Sequence, residues 1–337
     1  MRGALSLALL LTTACATREH IDLPLSPGAS RASLRGPHDA PPDDLGRAAP
    51  GSASDDPAST SSPNSPSSRG AGASSPPDRP LPDACSGDLP PLASSSPFLA
   101  LPVERHRPAV VSLPLGATSP RPVLVVAHGA GDRPEWQCGV WREIVQDHGF
   151  VLCVRGFPTN RYVPEAHTGY FYTDHHALGR EITLALDALR ARFPQHVDAT
   201  APAYAGFSQG AIMGAMLLPG HPARFARAAL VEGGDGLFQE WNIPAAQRFR
   251  AHGGERVLFA CGRSRCAELA RTSAFYLRRG GVEARVLHAR GAGHSYGGSM
   301  ATAVGEAFGW VVEGDARWCL GGSEEGNATA TATGEGR

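Results

Sequence analysis

One serine stands between two glycines in a pattern that can create a nucleophile. Ser208 lies in the stretch Gly206-Phe207-Ser208-Gln209-Gly210, which follows an extended segment and runs into an apolar one. This Gly-x-Ser-x-Gly pattern is typical of a sharp turn from strand to helix that exposes a serine hydroxyl above a sheet. Glycine suits the flanking positions because a side chain there would collide with the neighbouring strand or helix. The chemistry to expect of Ser208 is nucleophilic attack.

The segments beside Ser208 must hold this turn. Residues 198–205 are predicted to form a strand, and residues 211–218 a helix that is almost wholly apolar and therefore buried. A chain with 40 glycines can contain Gly-x-Ser-x-Gly by chance. The predicted strand before the motif and the buried helix after it favour the strained turn instead.

Strand and helix patterns alternate through the central part of the chain. Such alternation favours an α/β fold, with a mostly parallel sheet and helices on both faces. We expect Asp132 and Glu135 to form a capping box on the first helix, and Thr173-Asp174 to begin the second. The predicted strands are 109–115, 122–127, 150–155, 198–205, 226–231, 256–261 and 284–289, and the predicted helices begin near 132 and 173 and span 211–218, 267–279 and 300–312.

The order of these elements, together with three short motifs, resembles the α/β-hydrolase superfamily. His128-Gly129 follows one strand, Gly-Phe-Ser-Gln-Gly forms the turn at Ser208, and Gly293-His294-Ser295 follows the last strand. The pentapeptide is similar to the phospholipase/carboxylesterase and dienelactone-hydrolase-like branches, and to secreted esterases related to polyhydroxybutyrate depolymerases. The resemblance runs from residue 109 to residue 318. It implies the α/β-hydrolase fold and a serine hydrolase that needs no metal or organic cofactor.

The resemblance also implies roles for residues around Ser208. Ser208 is the expected nucleophile, and His294 is the expected base that takes its proton and later gives it to the leaving group. The glycine-rich loop before His294 would let the imidazole reach Ser208. The backbone N–H groups of Ala130 and Gln209 are the expected oxyanion-hole donors. His128 is expected to order the oxyanion loop rather than to act as a second base.

The acid that should orient His294 is where the sequence departs from the family. In most relatives an aspartate follows the strand before last, but this chain has Arg265 at that place. Some members carry the acid after the strand that follows the serine helix, and Glu232 lies there. Asp235 is the reserve candidate, and Glu268 would require the loop to fold back. We expect Glu232 to complete the triad.

Two functions stay open on the sequence. The first is a carboxylesterase that acts on small-molecule or polymeric esters through an acyl-enzyme on Ser208, although amide hydrolysis would use the same residues. The second is a non-catalytic or weakened surface protein that keeps the fold for a binding or structural role, which Arg265 motivates. A nucleic-acid partner is not expected, because the net charge is −1 and no basic block is present.

The first fifteen residues are typical of an export signal. Met1-Arg2 precede an apolar run that ends at Leu11, and small residues follow before Cys15. Cys15 resembles the lipidated cysteine of bacterial lipoproteins, which predicts a membrane-anchored protein facing the periplasm or the exterior. Thr12 stands where leucine is usual, so cleavage by the ordinary signal peptidase, giving a soluble secreted protein, is the alternative.

Composition divides the rest of the chain into three parts. Residues 16–97 are rich in Pro, Ser and Ala and are predicted to form a disordered tether. Residues 98–320 are predicted to form the hydrolase domain, and residues 321–337 a disordered tail.

Seven cysteines fit an oxidising compartment. Lipid on Cys15 would leave an even set of six. We expect one disulfide within a loop, one between a helix and the next strand, and one between the ends of the domain; these are Cys261–Cys266, Cys138–Cys153 and Cys85–Cys319. A free buried thiol at Cys153 is the alternative.

Two further clusters have both a chemical and a structural interpretation. Thr173-Asp174-His175-His176 contains residue types that bind metals, but adjacent histidines at a helix start point in different directions. We therefore expect a helix cap with exposed histidines. The Tyr170-Phe171-Tyr172 cluster is expected either to line a substrate pocket or to pack in the core.

Overall fold

The computed structural model of the chain describes residues 85–320. The predicted signal peptide, the lipidation site Cys15, the tether as far as residue 84 and the tail from residue 321 lie outside the described residues.

A sheet of eight strands forms the centre of the domain, and a two-stranded hairpin lies apart from it. The strands are β1 Phe98–Leu101, β2 Ala109–Ser112, β3 Arg121–Ala127, β4 Phe150–Cys153, β5 Phe157–Pro158, β6 Tyr170–Phe171, β7 Val197–Phe207, β8 Arg227–Val231, β9 Arg256–Cys261 and β10 Glu283–His288. The order in the large sheet is β1-β2-β4-β3-β7-β8-β9-β10, and β5 pairs with β6. The pairs β1–β2 and β2–β4 are antiparallel, and every other pair in the large sheet is parallel.

Helices cover both faces of this sheet, as the alternating pattern predicts. Side chains of β3 alternate between the faces, so that Val123 and Val125 belong to one apolar cluster and Leu124 and Val126 to the other. The helices are α1 Pro134–Val145, α2 His175–Arg192, α3 Gln209–Leu217, α4 Ile243–Ala251, α5 Ser264–Arg279 and α6 Ser299–Val312. The first cluster includes residues of α2, α3, α4 and α5, and the second includes residues of α1 and α6.

The predicted strands and helices are all present, with ends that shift by a few residues. The elements that the sequence pattern missed are β1, α4 and the β5–β6 hairpin, which are short. The predicted capping box is wrong, because Pro134 starts α1 with Arg133 at the N-cap position and no side-chain cap. The carboxylate of Asp132 instead accepts hydrogen bonds from the Arg133 N–H and from Gln137 Nε2.

Residues 85–97 pack on the domain, which corrects the predicted boundary at residue 98. Leu92 is buried, and the N–H groups of Leu89 and Leu92 donate to the carbonyl oxygens of Thr118 and Ala117. The Pro- and Ser-rich composition of this segment favoured a tether. Two leucines and the disulfide at Cys85 nevertheless hold the segment on the sheet domain.

All three predicted disulfides are confirmed: Cys85–Cys319, Cys138–Cys153 and Cys261–Cys266. The alternative of a free thiol at Cys153 is therefore wrong. Between residues 85 and 320, no helix has the length and apolar character needed to cross a membrane.

Candidate active site

Ser208 lies at the turn between β7 and α3, in the strained backbone conformation that the glycine pattern predicts. Its φ is 50° and its ψ is −114°, which is rare for a residue with a side chain. The Ser208 N–H donates to the carbonyl oxygen of Val231 at 2.9 Å. A Cβ added to Gly206 would lie 2.6 Å from the nitrogen of Ala211, and one on Gly210 would collide with the carbonyl oxygen of Ala127. Both glycines are therefore required for the turn.

His294 lies beside Ser208 on the loop that follows β10. Its Nε2 is 3.0 Å from Ser208 Oγ, and its Nδ1 is 3.0 Å from Glu232 Oε2. Gly293, with a φ of 66°, turns the chain into this position. The structure thus brings the three predicted residues into one chain of hydrogen bonds, and their catalytic roles stay predictions.

Glu232 follows β8 and has a fully buried carboxylate, with 0% of the side chain exposed. Its Oε1 accepts hydrogen bonds from the N–H groups of Gly262 and Arg263, and its Oε2 accepts from Arg263 Nε and faces His294. Burial alone would raise the pKa of Glu232, but the hydrogen bonds from His294, Arg263 and Gly262 outweigh burial and lower the pKa to about 2. Glu232 is therefore an ionised acid at neutral pH.

The other acid candidates lie elsewhere. Asp235 is buried, its carboxylate accepts from the Leu237 N–H, and burial raises its pKa. Glu268 is exposed and lies 3.7 Å from Arg265, with which it forms an ion pair on the surface of α5. Among the described hydrogen bonds, only Glu232 joins a carboxylate to His294.

Two backbone N–H groups near Ser208 lack an acceptor in residues 85–320. The N–H of Gly210 donates to His128 and that of Gly131 to Tyr170, whereas the N–H groups of Ala130 and Gln209 have no described acceptor. This is the state expected of oxyanion-hole donors before substrate binds.

The loop that carries Ala130 is fixed by contacts with buried groups. The ring nitrogens of His128 lie 2.7 Å from the Gly129 oxygen and 2.8 Å from the Arg155 oxygen. The hydroxyl of Tyr172 accepts from the His128 N–H and donates to the oxygen of Val154. His128 and Tyr172 thus support this loop from within the core.

Three functional contacts were not predicted from the sequence. The side-chain amide of Gln209 bonds to both the N–H and the carbonyl of Tyr172, which ties β6 to the serine turn. Tyr296 packs edge-to-face on Phe207 and hydrogen-bonds to Asp132 at 3.3 Å. Arg263 contacts Glu232. These pairs are far apart in the chain and carry no motif, so no local sequence signal could have identified them.

The two remaining clusters are structural. Asp174 caps α2 by accepting from the Ala177 N–H at 2.8 Å, as predicted, and the rings of His175 and His176 lie 4.0 Å apart. His176 is exposed and His175 is partly buried. Tyr170 and Tyr172 are buried, so these two residues pack in the core.

This arrangement can activate a hydroxyl. The imidazole of His294 can accept the Ser208 proton, Glu232 can stabilise the imidazolium that results, and the N–H groups of Ala130 and Gln209, which have no described acceptor, are available to a developing negative charge.

Among the comparisons with known proteins, only the comparison with solved structures finds similar proteins. No family model matches the sequence. No curated protein matches it either. Solved structures that superimpose on the chain include FphF, a fluorophosphonate-binding serine hydrolase of Staphylococcus aureus, with a TM-score of 0.46, 16% identity and coverage of 64% of this chain and 96% of that one. A carboxylesterase from Mesorhizobium loti gives a TM-score of 0.44 and 18% identity, over 66% of this chain and 98% of that one.

A putative dienelactone hydrolase from Klebsiella pneumoniae superimposes with a TM-score of 0.44 and 15% identity, over 64% of this chain and 97% of that one.

The fold is assigned from the architecture of the chain itself. The mostly parallel sheet is covered by helices on both faces, and Ser208 lies at the sharp turn between a central strand and the next helix. The chain has the α/β-hydrolase fold.

Proposed function

We propose that the protein is a serine hydrolase that cleaves carboxylic esters through an acyl-enzyme on Ser208. The observation that carries this proposal is the continuous contact of Ser208 Oγ with His294 Nε2 and of His294 Nδ1 with Glu232 Oε2, each at 3.0 Å. The strained backbone at Ser208 supports the same function, as do the N–H groups of Ala130 and Gln209, which have no acceptor among residues 85–320.

The reaction would proceed in two halves. As Ser208 Oγ attacks the carbonyl carbon, its proton passes to His294 Nε2, and the N–H groups of Ala130 and Gln209 stabilise the negative oxygen. Collapse of this intermediate breaks the ester C–O bond, and His294 gives its proton to the leaving alkoxide. A water molecule then attacks the acyl carbon and passes a proton to His294; the bond between that carbon and Ser208 Oγ breaks, and His294 returns the proton to Ser208 Oγ as the acid leaves.

A fluorophosphonate probe tests this function directly. We expect the wild-type chain to be labelled and Ser208→Ala to be unlabelled, and we expect hydrolysis of p-nitrophenyl esters to disappear in the same variant. Absence of labelling between pH 6 and pH 9 would contradict the proposal and support a binding or structural role. A panel of p-nitrophenyl and phenolic esters would then define the acyl group and the alcohol that the site accepts.

We also propose that the protein is exported. The six cysteines of the described region all form disulfides, which persist in oxidising compartments. The sequence of residues 1–15 supports a lipoprotein signal with Cys15 as the lipidated residue. Metabolic labelling with an alkyne fatty acid should mark the wild type and leave Cys15→Ser unmarked. Release of an unlabelled protein into the medium would favour a secreted form without a lipid anchor.

A further inference from the structure

Glu232 Oε2 is shared by two side chains, the imidazole of His294 and the guanidinium of Arg263. His294 Nδ1 lies 3.0 Å from this oxygen, and Arg263 Nε lies 2.5 Å from it. In a triad of serine, histidine and acid alone, the carboxylate oxygen that faces the imidazole accepts a hydrogen bond from the imidazole N–H. Here the guanidinium of Arg263, which is permanently charged, donates a hydrogen bond to the same oxygen.

Arg263 is fixed on Glu232 by more than its side chain. Its N–H also donates to Glu232 Oε1 at 3.1 Å, and the N–H of Gly262 donates to the same oxygen. The Cys261–Cys266 disulfide closes the short segment that carries both groups. The backbone and the side chain of Arg263 therefore both hydrogen-bond to the Glu232 carboxylate.

The charged groups around Glu232 can be named element by element. The loop after β9 presents Arg263, and the loop after β10 presents His294. The loop after β8 carries Asp235, whose charge interacts with both Glu232 and Arg263. Arg265, two residues beyond Arg263, pairs with Glu268 and has 72% of its side chain exposed.

A cation on Glu232 has a definite effect on His294. The carboxylate stabilises the imidazolium, whereas a second positive charge on the same oxygen repels it and offsets part of that attraction. Protonation of His294 removes the base that Ser208 needs. Less stabilisation of the imidazolium therefore means that the base stays available at a lower pH.

We propose that Arg263 is a positioning residue that acts through Glu232 to extend the activity of the triad toward acidic pH. This inference rests on the proposed hydrolase function. Arg263 holds the carboxylate in place and limits how strongly it stabilises protonated His294.

The test is the pH dependence of kcat/KM on a neutral p-nitrophenyl ester, with the full chain and its disulfides intact. In Arg263→Gln, the acid limb should move to higher pH by about 0.5 to 1 unit, because the imidazolium loses a repulsive neighbour. Arg263→Lys should restore most of the wild-type limb, because lysine keeps the charge. Arg265→Gln removes an equal charge from the same segment and should leave the limb unchanged.

The position of the limb is the diagnostic quantity, because a purely structural role would lower kcat without moving it. Arg263 has 53% of its side chain exposed, so these variants are expected to fold, and Arg263→Met provides a second charge-free variant. An acid limb that stays in place in both Gln and Met variants, or moves equally in Arg265→Gln, would overturn the inference. If the wild type is not labelled by the fluorophosphonate probe, the hydrolase function itself is contradicted. That outcome can be distinguished from a failure of the inference about Arg263.

Discussion

At the scale of single residues, the notable feature is the position in the chain of the carboxylate that contacts His294. Glu232 follows β8, whereas Arg265, at the position where the family resemblance led us to expect an aspartate, lies in the first turn of α5. Glu232 and Ser208 both have positive φ, at 52° and 50°. Such conformations cost about 1–3 kcal/mol each and cluster at functional sites. Backbone hydrogen bonds to neighbouring strands hold both residues, from the Ser208 N–H to the Val231 oxygen and from the Glu232 N–H to the Ala260 oxygen.

Replacing Glu232 by Gln should lower kcat by about 10³- to 10⁴-fold, because the neutral amide cannot stabilise the imidazolium as a carboxylate does. The measurement is kcat and KM on p-nitrophenyl acetate, with circular dichroism as the check on folding. Asp235→Asn is the matched control, since Asp235 is a buried carboxylate in the same loop without a described contact to His294. Full activity in Glu232→Gln, or an equal loss in Asp235→Asn, would show that the acid is wrongly assigned.

The same two carboxylates should affect stability with opposite dependence on pH. The folded pKa of Glu232 is lowered to about 2, so its contribution is present above its ordinary pKa and is lost as pH falls through about 2. The pKa of Asp235 is raised by burial, so its contribution is present at low pH and is lost as pH rises through the folded value. Urea unfolding at pH 3 and pH 6 measures both.

We expect the stability advantage of wild type over Glu232→Gln to be larger at pH 6 than at pH 3. For Asp235→Asn the trend should reverse, with the variant gaining on the wild type as pH rises. Parallel trends in the two variants would contradict these assignments.

At the scale of elements, the loops after the parallel strands bring the site together. Ser208 follows β7, Glu232 follows β8, the donors to Glu232 follow β9, and His294 follows β10. The carboxyl ends of neighbouring parallel strands lie at one edge of a sheet, so these loops meet. The Cys261–Cys266 disulfide joins the end of β9 to the first turn of α5 and so spans the third of these loops.

Removing this disulfide should reduce activity even while the variant remains folded. In Cys261→Ala/Cys266→Ala we expect kcat to fall by about 10-fold or more, because Gly262 and Arg263 lose part of their fixed position on Glu232. A loop of so few residues contributes little chain entropy, so the decrease in the free energy of unfolding should be about 3 kcal/mol or less.

Cys138→Ala/Cys153→Ala is the control, because this disulfide joins α1 to β4 and has no described contact with Glu232. Its kcat below the unfolding temperature should match the wild type. If both double variants lose activity only as they unfold, the positioning effect of the Cys261–Cys266 loop is absent.

At the scale of the whole molecule, one covalent bond joins the two ends of the described domain. Cys85 and Cys319 are separated by 234 residues. The segment at each end packs on the sheet domain, with Leu92 buried at one end and Trp318 at the other. The bond lies beside Arg121 at the start of β3, whereas the triad follows the carboxyl ends of the strands, so its effect is expected on stability rather than on chemistry.

Loss of Cys85–Cys319 should lower the free energy of unfolding by about 4–5 kcal/mol, because the chain-entropy contribution grows with the length of the closed loop. The urea midpoint of Cys85→Ala/Cys319→Ala measures this, and Cys138→Ala/Cys153→Ala, with a shorter loop, should shift less. The folded fraction should keep the wild-type kcat. A smaller effect than that of the control pair would contradict the loop-length argument.

Local sequence was sufficient for much of this molecule. The glycines around Ser208 predict the strained turn, because only glycine allows the close approaches at 206 and 210. The alternating apolar runs predict the parallel sheet and its helices, because a strand buried on both faces must be continuously apolar. The pairing of the six cysteines could not be derived from local sequence, and the structure confirms the pairing that was expected.

The surroundings of Glu232 required the tertiary structure. Its four hydrogen-bonding partners come from Gly262, Arg263 and His294, which lie 30 to 62 residues away in the chain. The same holds for residues 85–97, whose composition predicts a tether and whose contacts lie on the sheet domain. The sequence by itself determined the nucleophile turn and the layer of strands, since these depend on short-range sterics and periodicity. The tertiary structure decided which charges share the carboxylate, because that depends on how separate loops meet at one edge of the sheet.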